Sequence, residues 1–410
     1  MRTGAEDEGT RAAEGRPFLY RPMMGSHTYL DYNATTPLDP RVKAAMEPYL
    51  DLAFGNPSAA HALGREAKAA LEGAREALAG LLGSADKGEI VFVSSGTEAD
   101  NLALIGTALA YQERGRHIVT SAVEHSAVRE ACAALEARGF AVTVLPVDED
   151  GMLDLEALRH AIRPDTILVS LMHANNETGV LFPLEAVGRM VKERGVLFHT
   201  DAVQSFGKIP LDVRQLHLDL VSLSAHKIYG PKGIAALYVR RGVRLHPLLR
   251  GGGQERGRRA GTENVPGIVG LAEAARLMAL DGPTEAERLG PLRDRMEAGV
   301  AARIDGVRVN GWKSPRLFQT SNVSFAGVEG QTLVAALDLE GIAVSAGSAC
   351  HVGGVAASPV LRAMGLPPAE AHGSIRFSLG RPTREGDVDR VLDILPRVVA
   401  RLREHAPVTR

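Results

Sequence analysis

Cysteine is almost missing from this 410-residue sequence, which holds only Cys132 and Cys350. Two thiols are too few for a disulfide framework in so long a chain, which points to a reducing compartment and a cytoplasmic location. An excess of charge of one sign is missing as well. A net charge of −2 argues against a protein that grips nucleic acid or an anionic membrane by bulk electrostatics, so any ligand must be recognised locally. No apolar run reaches the ~18 residues that would suggest a membrane span, and the N-terminus has no secretory signal. Internal repeats and low-complexity tracts are absent from the part expected to fold.

What is present is an ordinary globular composition, 45% hydrophobic and 23% charged, enough to bury a sizeable core. Single cores stop growing near ~250–300 residues, so two lobes are expected. Residues 1–27 read as a flexible extension rich in Glu, Arg, Gly and Ala, and Met23 or Met24 is a possible biological start. Ordered structure is expected from Thr28. Residues 28–39 form a segment packing with a small lobe, 40–280 a large domain, and 281–410 a small C-terminal domain that carries the loop of Cys350. Helices are expected over 40–50 and over 64–82, the latter with Ala67, Leu71, Ala74, Leu78 and Leu81 on one face. Seven short apolar runs follow, from "EIVFVSS" to "AALYVRR", mostly alternating with helical segments such as 98–114 and 126–138. This pattern predicts an α/β domain with a mainly parallel seven-stranded sheet covered on both faces. A break and a new helix are expected at "LDGPTEAERLGPLRDRMEAGVAARI", opening a smaller α+β domain with strands near 322–325 and 375–378.

Ligand-handling groups in such sheets gather at the carboxyl ends of strands. Five of these ends carry unusual polar residues. "VFVSSGTEADN" runs a strand into Gly96 and Thr97 at a helix start, which suits a phosphate but is equally an ordinary helix cap. "VTSAVEHSAV" sets His125 at a strand-to-helix junction, where a lone histidine is more often structural. "SLMHANNETG" brings Asn175, Asn176 and Glu177 before Gly179, and a turn explains it as well as a site does. "GVLFHTDAVQ" drives a hydrophobic strand into Asp201 with Gln204 three residues on, and "LVSLSAHKIYGPKG" does so with Ser224, His226 and Lys227. A buried carboxylate and a buried lysine at neighbouring strand ends need an explanation, either a structural ion pair or a site. Pyridoxal phosphate (PLP) explains all five together, since it needs a lysine amine, an acid for its pyridine nitrogen, a phosphate cradle and a stacking group. Lys227, Asp201, Gly96 with Thr97, and His125 fill those places.

With these motifs, and with "LDYNATTPLD", "GNPSAAH", "GGGQERGRRAGTENVP", "SAGSAC" and "GSIRFSLGR", the sequence resembles the cysteine desulfurases of the class V aminotransferase group over residues 29–402. The resemblance implies PLP fold-type I, a homodimer with active sites at the subunit interface, and conversion of L-cysteine to L-alanine with a persulfide on Cys350. That sulfur would pass to an iron–sulfur scaffold or another acceptor protein, with no nucleic acid or membrane involved. No resident metal is implied, although Cys350 could ligate a cluster transiently during transfer.

Residue by residue, the resemblance implies Lys227 as the Schiff-base lysine, Asp201 as the pyridine-nitrogen partner and His125 as the stacking and catalytic group. Gln204 would meet the phenolic oxygen and Asn176 the ring substituents. Gly96, Thr97, Ser224 and His226 would hold the phosphate, with Thr262 reaching it from the other subunit. Arg376 and Asn33 would hold the substrate, the guanidinium fork suiting a carboxylate. Cys350 would accept sulfur from a small, Gly-rich loop, whereas Cys132, in a helical segment, reads as core. The residues after the cysteine, His351 and Val352, depart from the nitrogen-fixation pattern. A "CH…SPVL" text also resembles selenocysteine lyases, which are the alternative function, ahead of an aminotransferase of the same fold.

Overall fold

The computed structural model describes residues 27–346 and 357–405. Cys350, its immediate loop and all of the expected extension except His27 lie outside them. The strands in chain order are β1 (Thr28–Tyr29), β2 (Ile90–Val93), β3 (His117–Ser121), β4 (Ala141–Leu145), β5 (Thr166–Ser170), β6 (Leu197–Asp201), β7 (Leu220–Ser224), β8 (Ala235–Val239), β9 (Val307–Val309), β10 (Thr320–Phe325), β11 (Ile342–Ala343), β12 (Ser345–Ala346) and β13 (Ser374–Ser378). The seven apolar runs become β2 to β8, in one sheet of order β2-β8-β7-β6-β5-β3-β4. Only β8 runs against its neighbours; the other pairings are parallel.

Alternate residues of this sheet feed two cores, as the period-2 geometry of a strand requires. Val91, Val93, Ile118 and Leu168 pack with Leu102, Val128 and Leu135 of the helices after β2 and β3. Ile90, Phe92, Val119 and Val169 pack on the other face with Leu71, Val187 and Ile268. Every residue of β2, β3 and β5 to β8 is buried, which explains their continuous apolar text, while the edge strand β4 is largely open.

The second sheet, β12-β13-β10-β9, is antiparallel and packs a separate core that includes Phe325, Phe377, Leu333, Leu337, Val388 and Leu395. β1 pairs in parallel with β11, so the chain enters the fold beside this lobe.

Two local expectations fail. The helix Ala62–Leu81 buries Ala67, Leu71, Ala74 and Leu78, but Leu81 stands 36% exposed and Leu82 takes the buried place. The expected break near residue 281 is absent, because one helix runs Val265–Arg303 through Pro283 and Pro291. An interior proline costs about 3 kcal/mol. Here Leu277 and Met278 pack in the large core, and Leu289, Leu292, Met296 and Val300 in the small one. Burial of both sets offsets the two prolines.

The segment "GGGQER" is fastened by a pairing that sequence spacing does not disclose. Arg75 Nη1 and Nη2 donate to Glu255 Oε2 and Oε1 at 2.8 and 2.7 Å, and Glu255 Oε2 also accepts from Phe92 N at 3.0 Å. Both side chains are buried, and Glu255 and Arg256 adopt left-handed φ of 47° and 58°. Removing one partner strands a buried charge. Arg75→Met is therefore expected to destabilise the fold by about 3–5 kcal/mol, read as a lower midpoint in denaturant unfolding.

Candidate active site

The polar strand ends converge because parallel strands end on the same edge of a sheet. One pocket of about 320 Å³ opens there, lined by Asn33, Gly96, Thr97, His125, Asn176, Asp201, Gln204, Ser224, His226, Lys227 and Arg376 among others. A larger cleft of about 570 Å³ lies at the opposite ends of the strands, against Leu197, Asp219 and Arg240, and gathers none of the predicted residues. Thr262 is not brought to the 320 Å³ pocket. It is exposed and lies beside Ser94, Glu255 and Arg259, so it has no part in its own chain's site.

Each wall has a local cause. Ser95 caps the helix after β2, its Oγ accepting from Glu98 N at 3.1 Å, and Gly96 opens that helix where a Cβ would come within 2.9 Å of Val203. Capping thus falls to Ser95 and the close approach to Val203 falls to Gly96, neighbouring residues of one motif that both line the pocket. His125 caps the helix Ser126–Glu136, with Nδ1 accepting from Ala127 N, and its ring still faces the pocket. In "NNETG" the functions also divide. Asn175 Oδ1 accepts from Glu177 N and Thr178 N at 2.9 Å each, closing the turn that Gly179 completes at φ 80°, while Asn176 lines the pocket. Glu177 turns inward and accepts from Ser358 Oγ at 2.5 Å, tying the start of the helix Pro359–Ala363 to this turn.

Lys227 Nζ donates to Asn33 O and Ala34 O at 2.6 and 2.9 Å, and Gln204 Nε2 shares the Asn33 carbonyl at 3.0 Å. Asp201 Oδ1 accepts from Val203 N at 2.8 Å. Burial raises the Asp201 carboxyl above its ordinary range, against the pull of His125 and Lys227. Burial likewise lowers His125, and carries His226 down to about 4 with help from the neighbouring Lys227 charge. Arg376 Nη1 donates to Asn176 O at 3.0 Å and Nη2 to Asp31 Oδ1 at 2.8 Å, while its Nε has no partner. That Nε is itself buried, so the guanidinium keeps one unused donor inside the wall of the pocket.

Sequence reasoning missed Asp100, whose side chain also lines the pocket, and Glu124 and His199 behind it. Helical spacing could have disclosed Asp100, three residues after Thr97, and strand period could have disclosed His199, two before Asp201.

A pocket with a lysine amine, a buried acid, a helix start with a tight glycine, and unpartnered polar atoms suits an anionic, aromatic, carbonyl-bearing group. The chain belongs to the class V aminotransferases, since the model of that family, "Aminotransferase class-V", matches residues 28–391. Members of the class use PLP, and the donor set here fits it. Within the class, the chain belongs to the cysteine desulfurase family. It is 50% identical over 384 residues to the cysteine desulfurase IscS of Dictyoglomus turgidum, covering 94% of this chain and 97% of that protein. A solved NifS-like protein superposes with a TM-score of 0.85 at 40% identity, over 91% of this chain and 99% of that one. A structure titled "SspA in complex with cysteine" gives a TM-score of 0.75 at 38% identity, over 86% and 98%.

Proposed function

We propose that this chain converts L-cysteine to L-alanine and takes the sulfur onto Cys350 as a persulfide, for delivery to an iron–sulfur scaffold or another acceptor protein. The observation that carries the reading is the meeting of Lys227, Asp201, His125 and Arg376 in one pocket. The cysteine-bound relative supports the substrate, and relatives named for desulfuration favour sulfur over selenium.

Bound PLP supplies an electron sink for negative charge that develops on the substrate. Lys227 would hold the cofactor through its Nζ, and the same amine would move protons on the substrate carbon. Asp201 would meet the pyridine nitrogen with negative charge, His125 would lie against the ring, and Gln204 and Asn176 would hold its substituents. Gly96, Thr97, Ser224 and His226 would hold the phosphate. Arg376 and Asn33 orient the substrate carboxylate. The Cys350 thiolate attacks the substrate sulfur, so that the carbon–sulfur bond breaks as the sulfur–sulfur bond forms. Protons end on the alanine carbon and the persulfide.

The working unit is a homodimer in the cytoplasm. Thr262 is exposed and does not line its own pocket, and Leu50, Leu52 and Phe54 are 64%, 77% and 68% exposed, apolar surface suited to a second copy. Sedimentation of the holoenzyme should give a dimer; a fully active monomer contradicts this. Among the described residues no helix is long and apolar enough to cross a membrane. The function is tested by supplying cysteine and selenocysteine separately and measuring alanine, sulfide and selenide. Alanine from cysteine at a rate comparable with that from selenocysteine is expected. Turnover of selenocysteine alone would favour the lyase.

A further inference from the structure

The pocket floor holds more buried acid than the proposed chemistry uses. Asp100 is 1% exposed, lines the pocket, and leaves Oδ1 without a hydrogen-bond partner. Glu124 is 2% exposed; its Oε1 accepts from Ser121 Oγ at 2.6 Å and Met172 N at 3.0 Å, and its Oε2 has no partner. Asp201 completes a trio of buried carboxyls.

The positive groups near this floor are poorly placed to neutralise it. His125 and Lys227 act on Asp201. The nearest candidate for Asp100 is His199, whose Nε2 lies 3.7 Å from Oδ1. That ring is occupied by hydroxyls, with Ser170 Oγ at 2.8 Å from Nδ1 and Ser222 Oγ at 3.0 Å from Nε2. Burial holds His199 down to about 3, so it is neutral. Burial and the neighbouring Asp201 and Glu124 charges push Asp100 well above the carboxylate range, opposed by a hydrogen bond with Ser222. Like charges buried together do not both ionise; one keeps its proton.

We propose that Asp100 is a positioning residue for the cofactor: it keeps a proton while the cofactor is bound, leaving Asp201 as the negative charge that meets the pyridine nitrogen. The inference rests on the reading of Asp201 given above. Asp100 stands on the helix that opens at Gly96, next to Ser222 of β7, which is in register with Asp201 of β6, so its state bears on the carboxylate that does the binding. An amide can replace a protonated carboxyl there, whereas an apolar side chain cannot.

The test uses infrared difference spectra of the holoenzyme together with PLP affinity. A protonated-carboxyl band that shifts on 13C-aspartate labelling, and not on 13C-glutamate labelling, is expected in the native protein and should be absent from Asp100→Asn. Asp100→Asn should hold PLP within about threefold of the native affinity, while Asp100→Leu should lose about tenfold or more. Absence of an aspartate-sensitive band in the native protein overturns the proposal without recourse to any variant. So does its survival in Asp100→Asn, which would put the proton on Asp201, or a tenfold loss of PLP in Asp100→Asn. Asp201→Asn serves as the separate control. If it leaves PLP affinity unchanged, the reading of Asp201 fails, whatever Asp100 does.

Discussion

Cys350→Ser is expected to stop sulfur transfer while leaving PLP and cysteine bound. The substitution leaves Lys227, Asp201 and Arg376 in place, so the spectral response of the cofactor to cysteine should persist. What disappears is the nucleophile. A free thiol with a pKa of ~8.5 supplies a few per cent thiolate near neutral pH, and a serine hydroxyl supplies essentially none. Cys132 cannot take over, because it is 4% exposed in the helix Ser126–Glu136 and burial pushes its thiol up to about 12. Alanine formation should fall by about three orders of magnitude or more, and labelled substrate sulfur should no longer be found on the protein. Alanine made at the native rate by Cys350→Ser would end the persulfide mechanism.

Much of this site was legible because burial forces polar residues to declare themselves. A strand such as "GVLFHTD" is apolar until its last turn of text, so Asp201 stood out against its own neighbours, and Lys227 did so in "LVSLSAHKIYG". The seven strands were legible for the same reason, since a sheet covered on both faces needs unbroken apolar runs. Long-range pairings leave no such periodic trace. Arg75 meets Glu255 across 180 positions, and Glu177 meets Ser358 across 181. The continuity of the helix Val265–Arg303 is not legible because its prolines argue locally for a break, and the two cores that it joins are visible only once the chain is folded. Asp100 is not legible, because "GTEADN" has an adequate account as a helix start. An acid at the end of that motif reads as surface until its burial is known.

Lys227→Ala is expected to abolish covalent attachment of PLP and with it nearly all turnover. The proposal assigns attachment to Lys227 because its Nζ, held by the carbonyls of Asn33 and Ala34, stands in the same pocket as Asp201, His125 and the helix start at Gly96. Lys208 is the one rival with comparable chemistry among the neighbouring lysines. Burial and the Lys227 charge carry its amine down to about 7, which would make it a competent nucleophile, and it shares a small cavity with Lys227. Geometry separates the two. Lys208 Nζ reaches Gln204 Oε1 at 3.5 Å from behind and does not line the pocket in which Asp201 and Gly96 stand. Native protein reduced with borohydride should therefore yield one labelled peptide, the one that contains Lys227. The Lys227→Ala variant should bind PLP without fixing it, and turnover should drop by about three orders of magnitude or more, since both the attachment point and the proton-moving amine are gone. Cofactor fixed on Lys208 in the reduced native protein would show that the wrong amine had been chosen. The same label appearing only in the variant would show Lys208 to be a substitute that reaches the pocket once Lys227 is removed.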